Sequence, residues 1–399
     1  MKHFKKSLQP FHQSPDRLSL SDKDVHRQLA AQLSDLLPDL IDGYKCDGQT
    51  VCDIVLKASV EGKAIEGSCN ALQDAPTGTC VRRYLNDELA VTQLHELTSA
   101  VCTQLQIKLP SRLWHAKLDL SADFHDEPFY GKAPILQAYA CRGEAYKGTT
   151  WFYRVATIYV IHHQIPYTLG VVFVLPEYSI LEVLQALLHQ IQTLGLRFRS
   201  LCLDKGFCHQ AVITFLTGKP YEVILACPKR GKKNGTQALC KGRKSYFTEY
   251  TFNRGSKSKF YTAPLAVVRS YENQQGKRHA VWLLYVILNF TTTDPQTIRA
   301  RYRSRFGIET GYRCMRQTHA VTTSRNPALR FFLLGVAFLI LNLWVALRWR
   351  FCQSPRRGGR AIDKKLYELQ RHRQFIAQCI DRTYQPIAAI LAQVAPLDL

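Results

Sequence analysis

The chain has 399 residues, long enough for two or three domains around a large core, and 46% of them are apolar, an ordinary globular share. Lys and Arg number 53 against 31 Asp and Glu, a net charge of +22, and a chain this basic usually meets a polyanion, most often nucleic acid. The 13 cysteines are odd in number and form no C-x-x-C pair, which argues against a zinc ribbon or a disulfide scaffold and for reduced thiols in a cytosol.

Residues 1–20 read as a flexible basic tail, and their first sixteen positions lack the apolar stretch of a secretory signal. Residues 21–109 read as helical, with Leu29, Leu33 and Leu36 marking one turn pattern. Three short helices are expected at 51–60, 64–72 and 77–85, the last two separated by the Pro-Gly turn Q-D-A-P-T-G. The last carries Arg82, Arg83 and Tyr84, so the set is expected to be a helix-turn-helix DNA-binding region whose second helix enters the major groove.

A catalytic domain is expected over 110–347. A strand near 113–120 leads into D-L-S-A-D-F-H-D-E-P-F-Y-G at 119–131, four carboxylates followed by an aromatic turn closed by glycine. Residues 151–162 and 167–175 form a β-branched and aromatic hairpin pattern, and 180–196 an amphipathic helix. The strand 198–203 ends at Asp204 and a glycine turn, before a helix at 209–216 and a strand at 221–226. This order predicts an α/β, ribonuclease-H-like domain, whose carboxylates meet at neighbouring strand ends.

Residues 228–292 read as a β-rich insertion with strands near 263–270 and 280–290. It opens with a dense basic run, including Lys241, Arg243 and Lys244, interleaved with Tyr246, Phe247, Tyr250 and Phe252. Cations of this kind bind phosphates without reading sequence, and aromatics stack on unpaired bases.

The segment 301–316, R-Y-R-S-R-F-G-I-E-T-G-Y-R-C-M-R, is the most informative. On one continuous helix Tyr302, Arg305, Glu309, Arg313 and Arg316 fall within a sector about 80° wide. One carboxylate then lies among three guanidiniums and a phenol. Residues 331–347 hold no charge but are short for a membrane span and contain Asn342, so they read as a buried helix. Residues 348–399 read as a basic linker followed by a helix over 362–380.

Carboxylates from two strand ends and one helix supply the oxygen donors that divalent cations need, and two such ions can clamp both oxygens of a phosphoryl transfer. Asp123, Asp204 and Glu309 are the candidate set, with Asp119 and Asp126 as alternatives for the first acid.

These three pieces resemble the bacterial insertion-sequence transposases of the Asp-Asp-Glu type, and within them the group with the signature Y-x2-R-x3-E-x6-K. Tyr302, Arg305, Glu309 and Arg316 match it, with Arg in place of the usual Lys. Asp123, Pro128, Tyr130 and Gly131 fit the turn around the first acid, and Asp204, Gly206 and Phe207 the one around the second. The resemblance implies catalysis by Asp123, Asp204 and Glu309 with two Mg²⁺ ions, or Mn²⁺. It also implies phosphate contacts from Tyr302, Arg305 and Arg316, and often a DNA hairpin at the element end. Arg313 shares their face without belonging to the signature. The expected partners are double-stranded DNA, as element ends and target, and a second copy of the chain, in the cytoplasm and away from membrane. A nuclease of the same fold and an inactive DNA-binding copy are the competing readings.

Overall fold

The computed structural model describes residues 19–37, 46–132, 134–162, 165–252, 260–292, 294–305, 307–356 and 359–389. The expected tail falls almost wholly outside them. The first six helices are α1 (Asp22–Leu36), α2 (Gly48–Glu61), α3 (Ile65–Cys69), α4 (Gly78–Glu88), α5 (Leu94–Ile107) and α6 (Ser111–Trp114). Ser21 and Asp24 cap α1 reciprocally, each side chain accepting from the other residue's backbone N–H.

A helix-turn-helix joins its helices through three or four residues. Here α3 spans only five residues, and residues 70–77 separate it from α4. That connection is longer than the motif's usual turn. Arg82 and Arg83 are exposed on α4, and Arg82 pairs with Glu66 of α3 at 3.1 Å.

The rest of the chain is built on one mixed sheet. Its strands are β1 (Leu118–Pro128), β2 (Cys141–Tyr146), β3 (Thr149–His162), β4 (Ile165–Val174), β5 (Phe198–Leu203), β6 (Glu222–Ala226), β7 (Tyr246–Phe252), β8 (Tyr261–Gln274) and β9 (Lys277–Leu288). The path is β2-β3-β1-β5-β6-β9-β8-β7, with β4 also on β3. Strand β1 is antiparallel to β3 and parallel to β5, and β5 is parallel to β6.

The segment expected as a β-rich insertion joins the central sheet. Strand β9 pairs antiparallel with β6, so β7, β8 and β9 extend the central sheet. The physical reason is the edge of β6: its backbone groups need partners, and the β8–β9 hairpin supplies them.

The remaining helices are α7 (Pro134–Gln137), α8 (Ile180–Thr193), α9 (Gln210–Leu216), α10 (Pro295–Ser304), α11 (Gly307–Arg316), α12 (Pro327–Phe351) and α13 (Leu369–Tyr384). Helix α12 is long and apolar enough to cross a membrane, yet 89% of its most apolar window is buried inside the protein. Asn342 shows why a polar residue interrupts it. The β3–β4 register shifts beside Leu169, and at this bulge Asn342 accepts from the Thr168 N–H at 2.9 Å and donates to the Thr168 carbonyl at 2.7 Å. A bulge leaves ladder groups unpaired, and the amide satisfies them.

The apolar faces of α1, α2, α5, α12 and α13 share one core, while α8, α9 and the sheet enclose another. Within the carboxy-terminal stretch that begins with the expected basic linker, β10 (Gln353–Arg356) pairs antiparallel with β11 (Gly359–Ile362).

Candidate active site

Strand β1 alternates its side chains between the two sheet faces, so Asp119, Asp123, His125 and Glu127 share a face while Phe124 and Asp126 take the other. Ala122 of β1 lies opposite Leu203 of β5 in parallel register. Asp123 and Asp204 therefore follow at the same level on adjacent strands.

The local motifs explain how Asp204 is held. Phe207 is fully buried and its ring stacks on Phe124 at 4.4 Å, pinning the turn after β5 to β1. Gly206 passes over the same ring, where an added Cβ would lie 3.2 Å from Phe124. At the far end of β1, Phe129 is buried against Tyr153, and a Cβ on Gly131 would meet the Phe129 ring at 2.1 Å. The glycine is required there by space.

One guanidinium closes the acid pair. Arg305 places Nη2 3.2 Å from Asp204 Oδ1 and Nη1 3.6 Å from Asp123 Oδ2. It is 9% exposed, and its guanidinium carbon lies 4.9 Å from the centre of the Tyr302 ring. Burial works against the Arg305 charge, but Tyr302, Asp123 and Asp204 outweigh it and raise its pKa. Two carboxylates this close repel, and the guanidinium between them offsets that repulsion.

The alternative first acids are engaged elsewhere. Asp126 takes a bidentate pair with Arg154 at 2.7 and 2.8 Å on the opposite face. Asp119 sits four residues before Asp123, bound by Arg199 and by Ser200 Oγ at 2.6 Å. Burial acts on Asp119 upward, and these two partners more than reverse it, leaving its pKa lowered.

The continuous helix expected over 301–316 is corrected. Helix α10 ends at Ser304 with Arg305 as its C-cap, and α11 starts at Gly307. The break lets Arg305 turn onto the acids. Tyr302 is not on an open stripe: it is 6% exposed, its ring 4.8 Å from Tyr285, and burial raises its phenol pKa. Helix α11 packs beside β4 and α12, and its Tyr312 reaches His125 of β1 and Thr157 of β3. The Tyr312 hydroxyl hydrogen-bonds Thr157 Oγ1 at 2.7 Å, and Thr157 is the register partner of Asp123. Glu309 lies one turn before Tyr312 on this helix, and its side chain is outside the described part. Arg313 and Arg316 are exposed on α11. Among the described residues no group of three or more His, Cys, Asp or Glu side chains is placed to hold a metal ion.

Lys241, Arg243 and Lys244 are exposed in the turn before β7. Following the register from Leu225 through Val286 and Leu265 to Thr248 puts this turn at the same sheet edge as Asp204. It stands four strands away, about 19 Å. The β8–β9 hairpin projects from that edge too, with Tyr271 45% exposed between Arg278, at 4.2 Å, and Arg269, at 5.5 Å. Sequence reasoning missed this aromatic-cation ribbon. Its signal was the alternation of Arg269 and Tyr271 across a two-residue turn from Arg278.

A mixed α/β sheet with two acids at adjacent strand ends, closed by a helix-borne arginine, sets the class. The profile of the transposase DDE domain family matches residues 137–343, just over half of the chain, and the chain belongs to that family. The matched segment contains Asp204 and Glu309 and begins after Asp123. Among solved structures the chain is similar to the piggyBac transposase in a cryo-EM synaptic complex with hairpin DNA. The TM-score is 0.54 at 10% identity, over 92% of this chain and 81% of that one, a likeness of fold. No curated protein sequence matches it.

Proposed function

We propose that the chain is a DNA transposase that cuts phosphodiesters at the ends of a mobile element and joins the freed 3′-OH to target DNA. The observation that carries this is the level pairing of Asp123 and Asp204 under Arg305, in a chain of net charge +22. The strand order β4-β3-β1-β5-β6, three antiparallel strands and then two parallel ones, is also that of a ribonuclease-H-like fold.

The two carboxylates offer hard oxygen donors side by side, which fits Mg²⁺ or Mn²⁺, and Glu309 would complete the set. Bound there, two such ions would supply Lewis-acid stabilisation of the reacting phosphoryl group. The protein's own residues do the rest. Asp123 and Asp204 are held at fixed separation by the β1–β5 pairing. Arg305 compensates their charge in the free protein and is placed to swing to a phosphate oxygen when cations take over that task. Tyr302 carries the guanidinium on its ring face rather than touching DNA. Arg313 and Arg316 on α11, and Lys241, Arg243 and Lys244 at the same sheet edge as Asp204, hold the backbone of the duplex. Two copies of the chain assembled on a pair of element ends, inside the cell and on its DNA, complete the reading.

Metal-dependent cleavage of a duplex carrying the DNA that flanks the gene tests it. The unaltered protein should cut with Mg²⁺, and Asp204→Asn should reduce the rate at least 1000-fold while still binding that duplex. Cutting by Asp204→Asn at the unaltered rate would remove the acid pair from the chemistry.

A further inference from the structure

At the opposite, amino-terminal edge of β1, β5 and β6 the chain forms a cavity of about 1140 Å³. Its wall carries five cations, Lys117, Arg197, Arg199, Lys219 and Arg301, against two carboxylates, Asp119 and Glu222. Both carboxylates are spoken for, Asp119 by Arg199 and Glu222 by Arg301. Among the described residues Lys117, Arg197 and Lys219 have no acidic partner, so the cavity keeps an excess of three positive charges. Phe198, Phe215 and Tyr221 also line it. Phe198 and Tyr221 lie 4.4 Å apart, and Lys219 stands 4.3 Å from the Phe215 ring.

We propose that this cavity is a second DNA site, which takes a short unpaired strand by its phosphates. The proposal rests on the transposase reading and adds a place where the strand runs after leaving the acid pair. Three observations converge. The excess charge calls for a polyanion, and a solvated surface does not need cations gathered around a concavity. Its aromatic lining suits a single strand, whose unpaired bases can stack on the Phe198 and Tyr221 rings, whereas a duplex keeps its bases paired. It also shares a strand and a helix with the acid pair. Asp119 and Asp123 share one face of β1 about 13 Å apart. On α10, Arg301 lines the cavity and Arg305, four residues on, closes the acids.

The test uses the full chain with Lys117, Arg197 and Lys219 changed together to Gln, none of them part of the acid site. A fluorescein-labelled twelve-nucleotide single strand of mixed sequence, and the duplex of the same sequence, are titrated by anisotropy from low to high salt. On the single strand the variant should bind at least tenfold more weakly, with a slope of log affinity against log salt shallower by about 2, near 0.7 for each lost phosphate contact. Duplex affinity should change less than threefold. Each single substitution should take about a third of the slope change, so the result does not hang on the triple variant folding, which its melting curve checks. An unchanged single-strand affinity and slope would overturn the proposal, and so would an equal loss on both probes. Cleavage by the unaltered protein is read separately. Cutting without a single-strand effect in the variant sinks the cavity alone. A single-strand effect in a protein that never cuts sinks the transposase reading, and with it the path from the acid pair.

Discussion

Asp123, Asp204 and Arg305 form a unit whose members do different work. Asp123→Asn and Asp204→Asn should each remove cleavage. Asp119→Asn and Asp126→Asn should leave it within tenfold, because those carboxylates serve Arg199 and Arg154 instead. Single-turnover cleavage of all four variants separates the sets. Arg305→Gln should lower stability by about 1–3 kcal/mol without divalent ions, less than a fully buried pair because Asp123 and Asp204 remain a fifth to a quarter exposed. Adding Mg²⁺ should restore most of the melting temperature, since the ion would take over the neutralising role; no recovery would leave Arg305 a plain structural pair. The turn that holds Asp204 was legible in the sequence. Asp204, Gly206 and Phe207 are neighbours, so their turn chemistry is local. The ion pair of Arg305 with Asp204 spans 101 residues and leaves no periodic trace.

At the scale of elements, periodicity located the strands and helices but not their neighbours. Residues 263–270 and 280–290 read as strands, and nothing in an alternating pattern says that β9 will pair with β6. The helix at 301–316 looked continuous because its polar stripe is continuous, and periodicity carries no sign that Arg305 caps α10 beside the two acids. Helix α13 docks on α12 through His372, which is fully buried. The Ile340 carbonyl can only accept, so Nε2 carries the proton at 3.1 Å, and the Tyr367 hydroxyl donates to Nδ1 at 2.8 Å. Burial holds its pKa down to about 3. The unfolded chain takes up this proton below about pH 6.5 and the folded chain does not. Stability is therefore present above that pH and is lost as pH falls from about 6.5 toward 3, by up to about 1.4 kcal/mol per pH unit. In urea unfolding between pH 6.5 and 4.5, His372→Gln should show a pH slope smaller by close to one proton. An identical slope would mean that His372 charges in the fold.

Over the whole molecule, the amino-terminal and carboxy-terminal helices meet in one core. Helix α13 packs on α1 and α2, and Tyr384 and His26 both reach the buried Asp53, at 3.1 and 2.7 Å. The sequence showed amphipathic helices at both ends, but their partnership lies some 330 residues apart and has no local signature. The sheet gathers Asp123, Asp204 and the Lys241–Lys244 turn along one edge, the face we propose for the duplex. Changing Lys241, Arg243 and Lys244 together to Gln should weaken duplex binding on every sequence and flatten its salt slope by nearly 3, about 0.9 per lost phosphate. An unchanged slope would make the run a solvated turn. The most direct measurement of the central claim is strand joining. Purified protein, Mg²⁺, a pre-cut duplex ending in the element's 3′-OH and a supercoiled target should give a covalently joined product on a denaturing gel, absent with Asp204→Asn. Joined product from Asp204→Asn, or none from the unaltered protein bound to its own ends, would contradict the account.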